Sequence, residues 1–167
     1  PPHHAHTGAI LLPGCTAWGL LLVADISNPT HLAPSDSFAR QHVARSALED
    51  AYAAAQQRVH QLQHHPEAWG YAGCTVECIE THISWLLLVG EHVYKFKKPL
   101  ALDFLDFSTP ALRLAACQEE LRINRRTAPH MYLDVVGVEG DGSEARPWRV
   151  KPWAAGDAAG VEPAVLM

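Results

Sequence analysis

Pro66, Pro99, Pro110 and Pro129 set most of the boundaries open to this chain. A proline lacks a backbone N–H and has a fixed φ. It therefore stops a helix, opens one in its first turn, or bounds a strand. Upstream of Pro66 the apolar positions Leu48, Tyr52, Ala55, Val59 and Leu62 step by four and three. That spacing predicts one face of a helix running from about residue 36 or 37 to His64. Residues 67–73 (EAWGYAG) read as a turn-rich junction, and after them the pattern changes to strands. Residues 75–81, 84–89 and 92–98 read as extended, with Gly90-Glu91 as the hairpin turn between the last two. Residues 100–107 (LALDFLDF) read as a loop. Ser108 is placed as the N-cap of a helix over 109–126, with Pro110 in its first turn. Residues 132–138 read as another strand, 139–142 as a turn, and 161–167 as a last strand interrupted by Pro163. The fold class expected is α+β: a mostly antiparallel sheet with one packed long helix, plus an N-terminal helix. The domains expected are an irregular extension or linker over 1–36, the N-terminal helix over 37–66, and the sheet-bearing lobe over 67–167.

A chain of 167 residues, 48% hydrophobic and 19% charged, is long enough for one domain with a real core. A formal charge of −5 gives no reason to expect a nucleic-acid or membrane-surface partner. Cys15, Cys74, Cys78 and Cys117 are too sparse for a disulfide scaffold and suit a reducing, cytoplasmic compartment. The Cys74–Cys78 spacing has no matching second pair, so small core residues are the better reading than a zinc site. None of the 11 histidines falls into an H-E-x-x-H or zinc-finger spacing, which leaves surface or capping roles ahead of a metal carrier. The apolar stretch from Ala9 to Ala24 is interrupted by Pro13 and Gly14 and falls short of a bilayer span. No Lys or Arg precedes it as a signal sequence would require. Leu12-Pro13-Gly14-Cys15 faintly resembles a lipoprotein cleavage box, but a strand or sticky extension is preferred. The opening Pro1 in place of Met suits a fragment or a processed form.

The charged residues within this frame suggest chemistry. On the third strand Val93, Lys95 and Lys97 share one face, and Tyr94, Phe96 and Lys98 share the other. On the second helix Leu112, Ala116, Glu120 and Ile123 fall within a narrow arc, which predicts a core-facing stripe. A carboxylate on such a stripe needs a cation, and an inward lysine is the obvious partner. The alternative treats Glu119 and Glu120 as solvated and residues 95–98 as a charged cluster guarding a sheet edge. Periodicity leaves both open.

A wider pattern bears on the choice. Residues 81–85 (THISW), 93–99 (VYKFKKP), 104–108 (FLDFS), 119–126 (EELRINRR) and 132–136 (YLDVV) stand in one close-set order. Together they resemble the opening domain of a bacterial family related to aminoglycoside phosphotransferases, which in many members precedes a P-loop kinase domain. The resemblance covers residues 65–138 well, 139–167 loosely and 1–44 not at all. It implies a protein-kinase-like small lobe that binds ATP. Lys95 would be the phosphate-binding lysine, Glu120 its helix partner and Lys97 the fallback lysine. Thr81, His82, Ile83 and Ser84 would form the turn near the nucleotide phosphates. No G-x-G-x-x-G occurs there, so the hydroxyls of Thr81 and Ser84 either contact phosphate or cap the turn. Asp103 and Asp106 suit loop ordering and helix N-terminal charge better than a metal pair, and Arg125 and Arg126 suit a helix end. DFLDFS lacks the glycine of a D-F-G motif.

The resemblance assigns no catalytic residue to this sequence. The H-G-D-type loop and the later Asp that would ligate Mg²⁺ belong to a large lobe, and no G-x-x-x-x-G-K-[ST] occurs. The expectation is the ATP-binding lobe of a phosphotransferase, ending near the hinge, inactive alone, with the C-terminal lobe as partner and an unspecified acceptor. The alternative is a truncated, non-catalytic module whose exposed face docks another chain.

Overall fold

A computed structural model describes residues 34–70, 73–154, 156–157 and 160–167, so the expected extension over 1–33, with Cys15 and the apolar run, lies outside the described residues. Helix α1 spans Pro34–His64 and begins slightly earlier than its lead-in suggested. A single 3-10 turn at Pro66–Trp69 follows, closed by Gly70 at φ 75°. The Trp69 indole donates to the Leu62 carbonyl at 3.0 Å, which folds this turn back onto α1. The strands are β1 (Val76–Glu80), β2 (Ser84–Val89), β3 (His92–Lys97), β4 (Ala101–Leu102) and β5 (Leu105–Asp106). Helix α2 (Pro110–Asn124) comes next, then β6 (Asp134–Glu139), β7 (Arg149–Pro152) and β8 (Glu162–Leu166). Six strands form one sheet in the order β1-β2-β3-β8-β6-β7, and each neighbouring pair is antiparallel. The class is therefore α+β, with a helix on each face of the sheet.

Strand alternation decides which residues each helix meets. Trp85, Leu87, Val89, Tyr94, Phe96, Val136, Val138 and Ala164 point to one face and bury against Ala55, Val59 and Leu62 of α1 and Ala68 and Trp69 of the turn. The helical face read from the sequence is thus the one that docks. Val135 and Val165 point the other way and pack with Cys117 of α2, flanked by Leu114, Leu121, Tyr132 and Trp153. Two glycines serve this geometry. Gly90 at φ 60° makes the tight β2–β3 turn. A Cβ on Gly137 would lie 2.6 Å from a Val161 methyl, so the β6 backbone there approaches the 161 loop closely.

Several expectations need correction. Residues 100–107 are not a plain loop, because β4 and β5 pair as a small hairpin turned at Asp103 and Phe104. The N-cap of α2 is Thr109, whose hydroxyl accepts from Leu112 N at 3.3 Å. Ser108 instead donates its backbone N–H to the Asp106 carboxylate at 2.9 Å, the loop-ordering role expected of that acid. The inward stripe of α2 is carried by Arg113 and Cys117, while Leu112 and Ile123 are exposed. β7 had no counterpart in the sequence reading, since prolines flank its short run. The last strand expected over 161–167 is present as β8, an interior strand of the sheet paired to both β3 and β6. Pro163 is tolerated there for a specific reason. Met167 exchanges both backbone bonds with Val93, while Leu166 O accepts from Leu133 N on the opposite side. Alternation then aims the Pro163 nitrogen toward β3, beyond Phe96↔Ala164, where that ladder has ended.

One buried ion cluster joins the layers. The Glu162 carboxylate receives Arg113 Nε at 2.5 Å and Nη2 at 2.8 Å, a two-pronged contact from α2. Arg58 of α1 adds Nη1 at 3.1 Å. Arg113 Nη1 also donates to the Phe107 carbonyl at 2.9 Å, which ties the segment after β5 to the cluster. Burial pushes the Arg58 guanidinium below its usual range, partly offset by the Glu162 charge. Replacing Arg113 would orphan a buried carboxylate contact and a buried carbonyl. Arg113→Met is expected to lower the unfolding free energy by about 3–5 kcal/mol in urea denaturation. Arg58→Met should cost clearly less, because Arg113 alone meets both Glu162 oxygens; an equal or larger loss would contradict this division.

Candidate functional site

Alternation on β3 turns Lys95 and Lys97 toward α2, and the turn of α2 carries Glu120 to meet them. Lys95 Nζ lies 2.7 Å from Glu120 Oε1, and Lys97 Nζ bonds the other oxygen, Oε2. Both lysines nominated from the sequence thus share the glutamate, rather than Lys95 alone. Their side chains differ in access: Lys95 is 24% exposed, Lys97 6% and Glu120 13%. Lys97 Nζ sits 5.4 Å from the centre of the Phe107 ring, beneath the segment that follows β5. Asn124 Nδ2 donates to the Glu120 carbonyl at 2.8 Å, which steadies the last turn of α2. Two ammonium groups against one carboxylate leave one positive charge in excess at this place.

Burial acts to raise the Glu120 carboxyl, but hydrogen bonds from Lys95 and Lys97, with their charges, outweigh it and hold it below the ordinary carboxylate range. Cys117 stands one helical turn away and is fully buried, and desolvation pushes its thiol up to about 12. It is an inert neighbour, neither a thiolate nor a metal ligand.

The third lysine of the run goes elsewhere. Lys98 donates to Glu80 Oε1 at 2.5 Å, with its Nζ 5.1 Å from the Trp85 ring. β3 is flanked by β2 and β8, so the cluster does not guard a sheet edge. Sequence reasoning missed what lies beside Lys95. The register pairs Ile79 with Leu86, Leu86 with Lys95, and Leu88 with Val93, all on the face that α1 does not cover. Helix α2 lies over β8 and β6, and Ile79 is 46% exposed, with Leu86, Leu88 and Val93 half-buried. The result is a largely apolar shelf with Lys95 at one margin and the exposed Glu77 at the other, opposite Leu88. The signal was present in the uninterrupted run Leu86-Leu87-Leu88-Val89, which is apolar on both faces although one helix covers only one of them.

The turn between β1 and β2 caps itself. The Thr81 hydroxyl donates to the Ser84 carbonyl at 3.0 Å and accepts from Ser84 N at 3.0 Å. Ser84 corrects the phosphate-contact reading: its side chain is wholly buried opposite Lys97, so its hydroxyl is not offered to a ligand. Among the described residues it is also the buried side-chain polar atom that has no hydrogen-bond partner. Among the described residues no group of three His, Cys, Asp or Glu side chains could hold a metal. Arg125 Nε donates to the Tyr132 carbonyl at 2.9 Å and fixes the exit from α2. Among the described residues no helix is long and apolar enough to cross a membrane.

No protein-family model matches the chain, and no solved structure matches it. Three curated mycobacterial proteins do, each 36% identical over 73 residues, or 43% of this chain. They are the uncharacterized proteins Rv2004c and MT2060 of Mycobacterium tuberculosis and Mb2027c of Mycobacterium bovis. The match covers 15% of the length of these relatives.

Because the folded Glu120 carboxyl lies below its unfolded value, its contribution to stability is full above that unfolded value and is lost as pH falls through the folded one. Chemical denaturation should therefore show stability declining below about pH 4.3. Glu120→Gln should lower stability at neutral pH by roughly 3 kcal/mol and flatten that acid limb. An unchanged acid limb in Glu120→Gln would mean that the carboxylate is not held by the lysines.

Proposed function

We propose that this chain is the nucleotide-binding lobe of a kinase-like phosphotransferase, and that ATP is its ligand. The observation that carries the reading is the apolar shelf of Ile79, Leu86, Leu88 and Val93 with the surplus cation of the Lys95–Lys97–Glu120 cluster at its margin. A flat apolar base with an anionic tail has that chemistry. The order of elements supports it: a hairpin, a lysine-bearing strand, a glutamate-bearing helix, then strands that return beside the lysine strand. Lys95 would take the phosphates, and Glu120 would orient it.

No group of three His, Cys, Asp or Glu side chains that could hold a metal occurs among the described residues. Mg²⁺ ligands and the aspartate that orients the acceptor hydroxyl would come from a second lobe. A second reading, a docking module, draws on Phe104, which stands 83% exposed at the turn of the β4–β5 hairpin.

Calorimetric titration with ATP separates the two. The unmodified chain should bind ATP, and Lys95→Met should bind at least about tenfold more weakly at an unchanged melting temperature. Neither form should hydrolyse ATP alone, because positioning and metal ligation supply nearly all of the rate. No binding by the unmodified chain, or equal binding by Lys95→Met, would overturn the reading. A chain that binds no ATP would leave the docking reading, with Phe104 as its exposed contact.

A further inference from the structure

Phosphate-binding lysines that are also paired with a glutamate face a conflict. A lysine that serves a phosphate and a carboxylate together divides its three N–H donors between them, and a buried carboxylate that had no other partner would be left under-satisfied. Here the carboxylate has two holders, each on its own oxygen: Lys95 on Oε1 and Lys97 on Oε2. The two are not equivalent in place. Lys97 is buried under Phe107, opposite the enclosed Ser84, and has no open side from which to reach a ligand. Lys95 lies next to Leu86 on the open shelf and keeps a quarter of its side chain in water.

Resting on the nucleotide reading above, we propose that Lys97 is the fixed partner of Glu120 and Lys95 the shared one. Lys95 then extends donors to the phosphate, still oriented by Glu120, while Lys97 keeps the carboxylate fully paired. Lys97 is thus a positioning residue that acts on the ligand through Glu120 and Lys95. It also supplies the surplus charge: without it, Lys95 and Glu120 neutralise each other and the anion meets no net cation. The groups facing the Glu120 carboxylate are Lys95 and Lys97 from β3, with the Cys117 thiol on its own helix, which burial keeps neutral.

The test follows the Glu120 carboxyl carbon and the lysine side-chain signals by NMR in the unmodified chain, Lys95→Met, Lys97→Met and the milder Lys97→Gln. In Lys95→Met the Glu120 carboxyl should still titrate below about 4.3, because Lys97 alone holds it. ATP added to the unmodified chain should shift the Lys95 signal and leave Lys97 in place. ATP affinity should fall at least about tenfold in Lys97→Gln with its melting transition retained, although Lys97 does not touch the ligand. A Glu120 carboxyl that rises above the ordinary value in Lys95→Met would overturn the proposal. So would an ATP-induced shift confined to Lys97, or full affinity in Lys97→Gln. If the unmodified chain binds no ATP, the nucleotide reading fails, and the sharing of Lys95 with a phosphate falls with it. The Lys95→Met titration needs neither ATP nor a folded Lys97 variant, and still decides whether Lys97 alone anchors Glu120.

Discussion

A helix of 15 residues laid across a six-stranded sheet leaves part of that sheet bare, and the organisation of this lobe depends on that mismatch. An α-helix is about 10–12 Å wide, and strands are spaced about 4.8 Å apart, so one helix shields about two strands. Helix α2 lies on β8 and β6. Among the described residues no helix covers the same face of β1, β2 and β3, while their other face is sealed by α1 and the turn that follows it. Lys95 stands at the border between covered and open ground, and its neighbour Lys97 lies on the covered side. Burial, charge excess and access all follow from where α2 stops.

The two charged clusters share one composition. Arg58 and Arg113 against Glu162 leave one positive charge, as do Lys95 and Lys97 against Glu120. They differ in what the excess can do. Guanidinium groups stay charged and form a rigid fork, and Arg113 also spends a donor on the Phe107 carbonyl. That cluster joins α1, β8, α2 and the segment over Lys97. The lysine cluster is built from single-point charges on flexible stems, one of which reaches open surface. The first ties the layers together, and the second leaves Lys95 within reach of the open surface.

Much of this was legible in the residues, and the failures have physical causes. The α1 face, the β2–β3 hairpin and the shared face of Lys95 and Lys97 follow from periods of 3.6 and 2, so the sequence displays them. The α2 stripe was misjudged because Arg113 looks like a surface residue until Glu162, 49 positions on, is known to lie beside it. The last strand was read despite Pro163, but its interior place was not, since the harmlessness of that proline depends on where the β3 ladder ends. The shelf was only half legible: the run Leu86-Leu87-Leu88-Val89 is apolar on both faces, but nothing in it says which face α1 covers. Ser84 was taken for a turn hydroxyl on the strength of its neighbours, whereas it is the first residue of β2 and lies buried opposite Lys97.

The central claim is that the open face of β1–β3 beside Lys95 receives the ligand. Methyl NMR of the chain titrated with ATP tests it most directly. The account predicts saturable shifts at the methyls of Ile79, Leu86, Leu88 and Val93, with Leu87 and Val89 on the sealed face unmoved. Shifts on the sealed face, or none at the four shelf residues while ATP binds elsewhere, would contradict it.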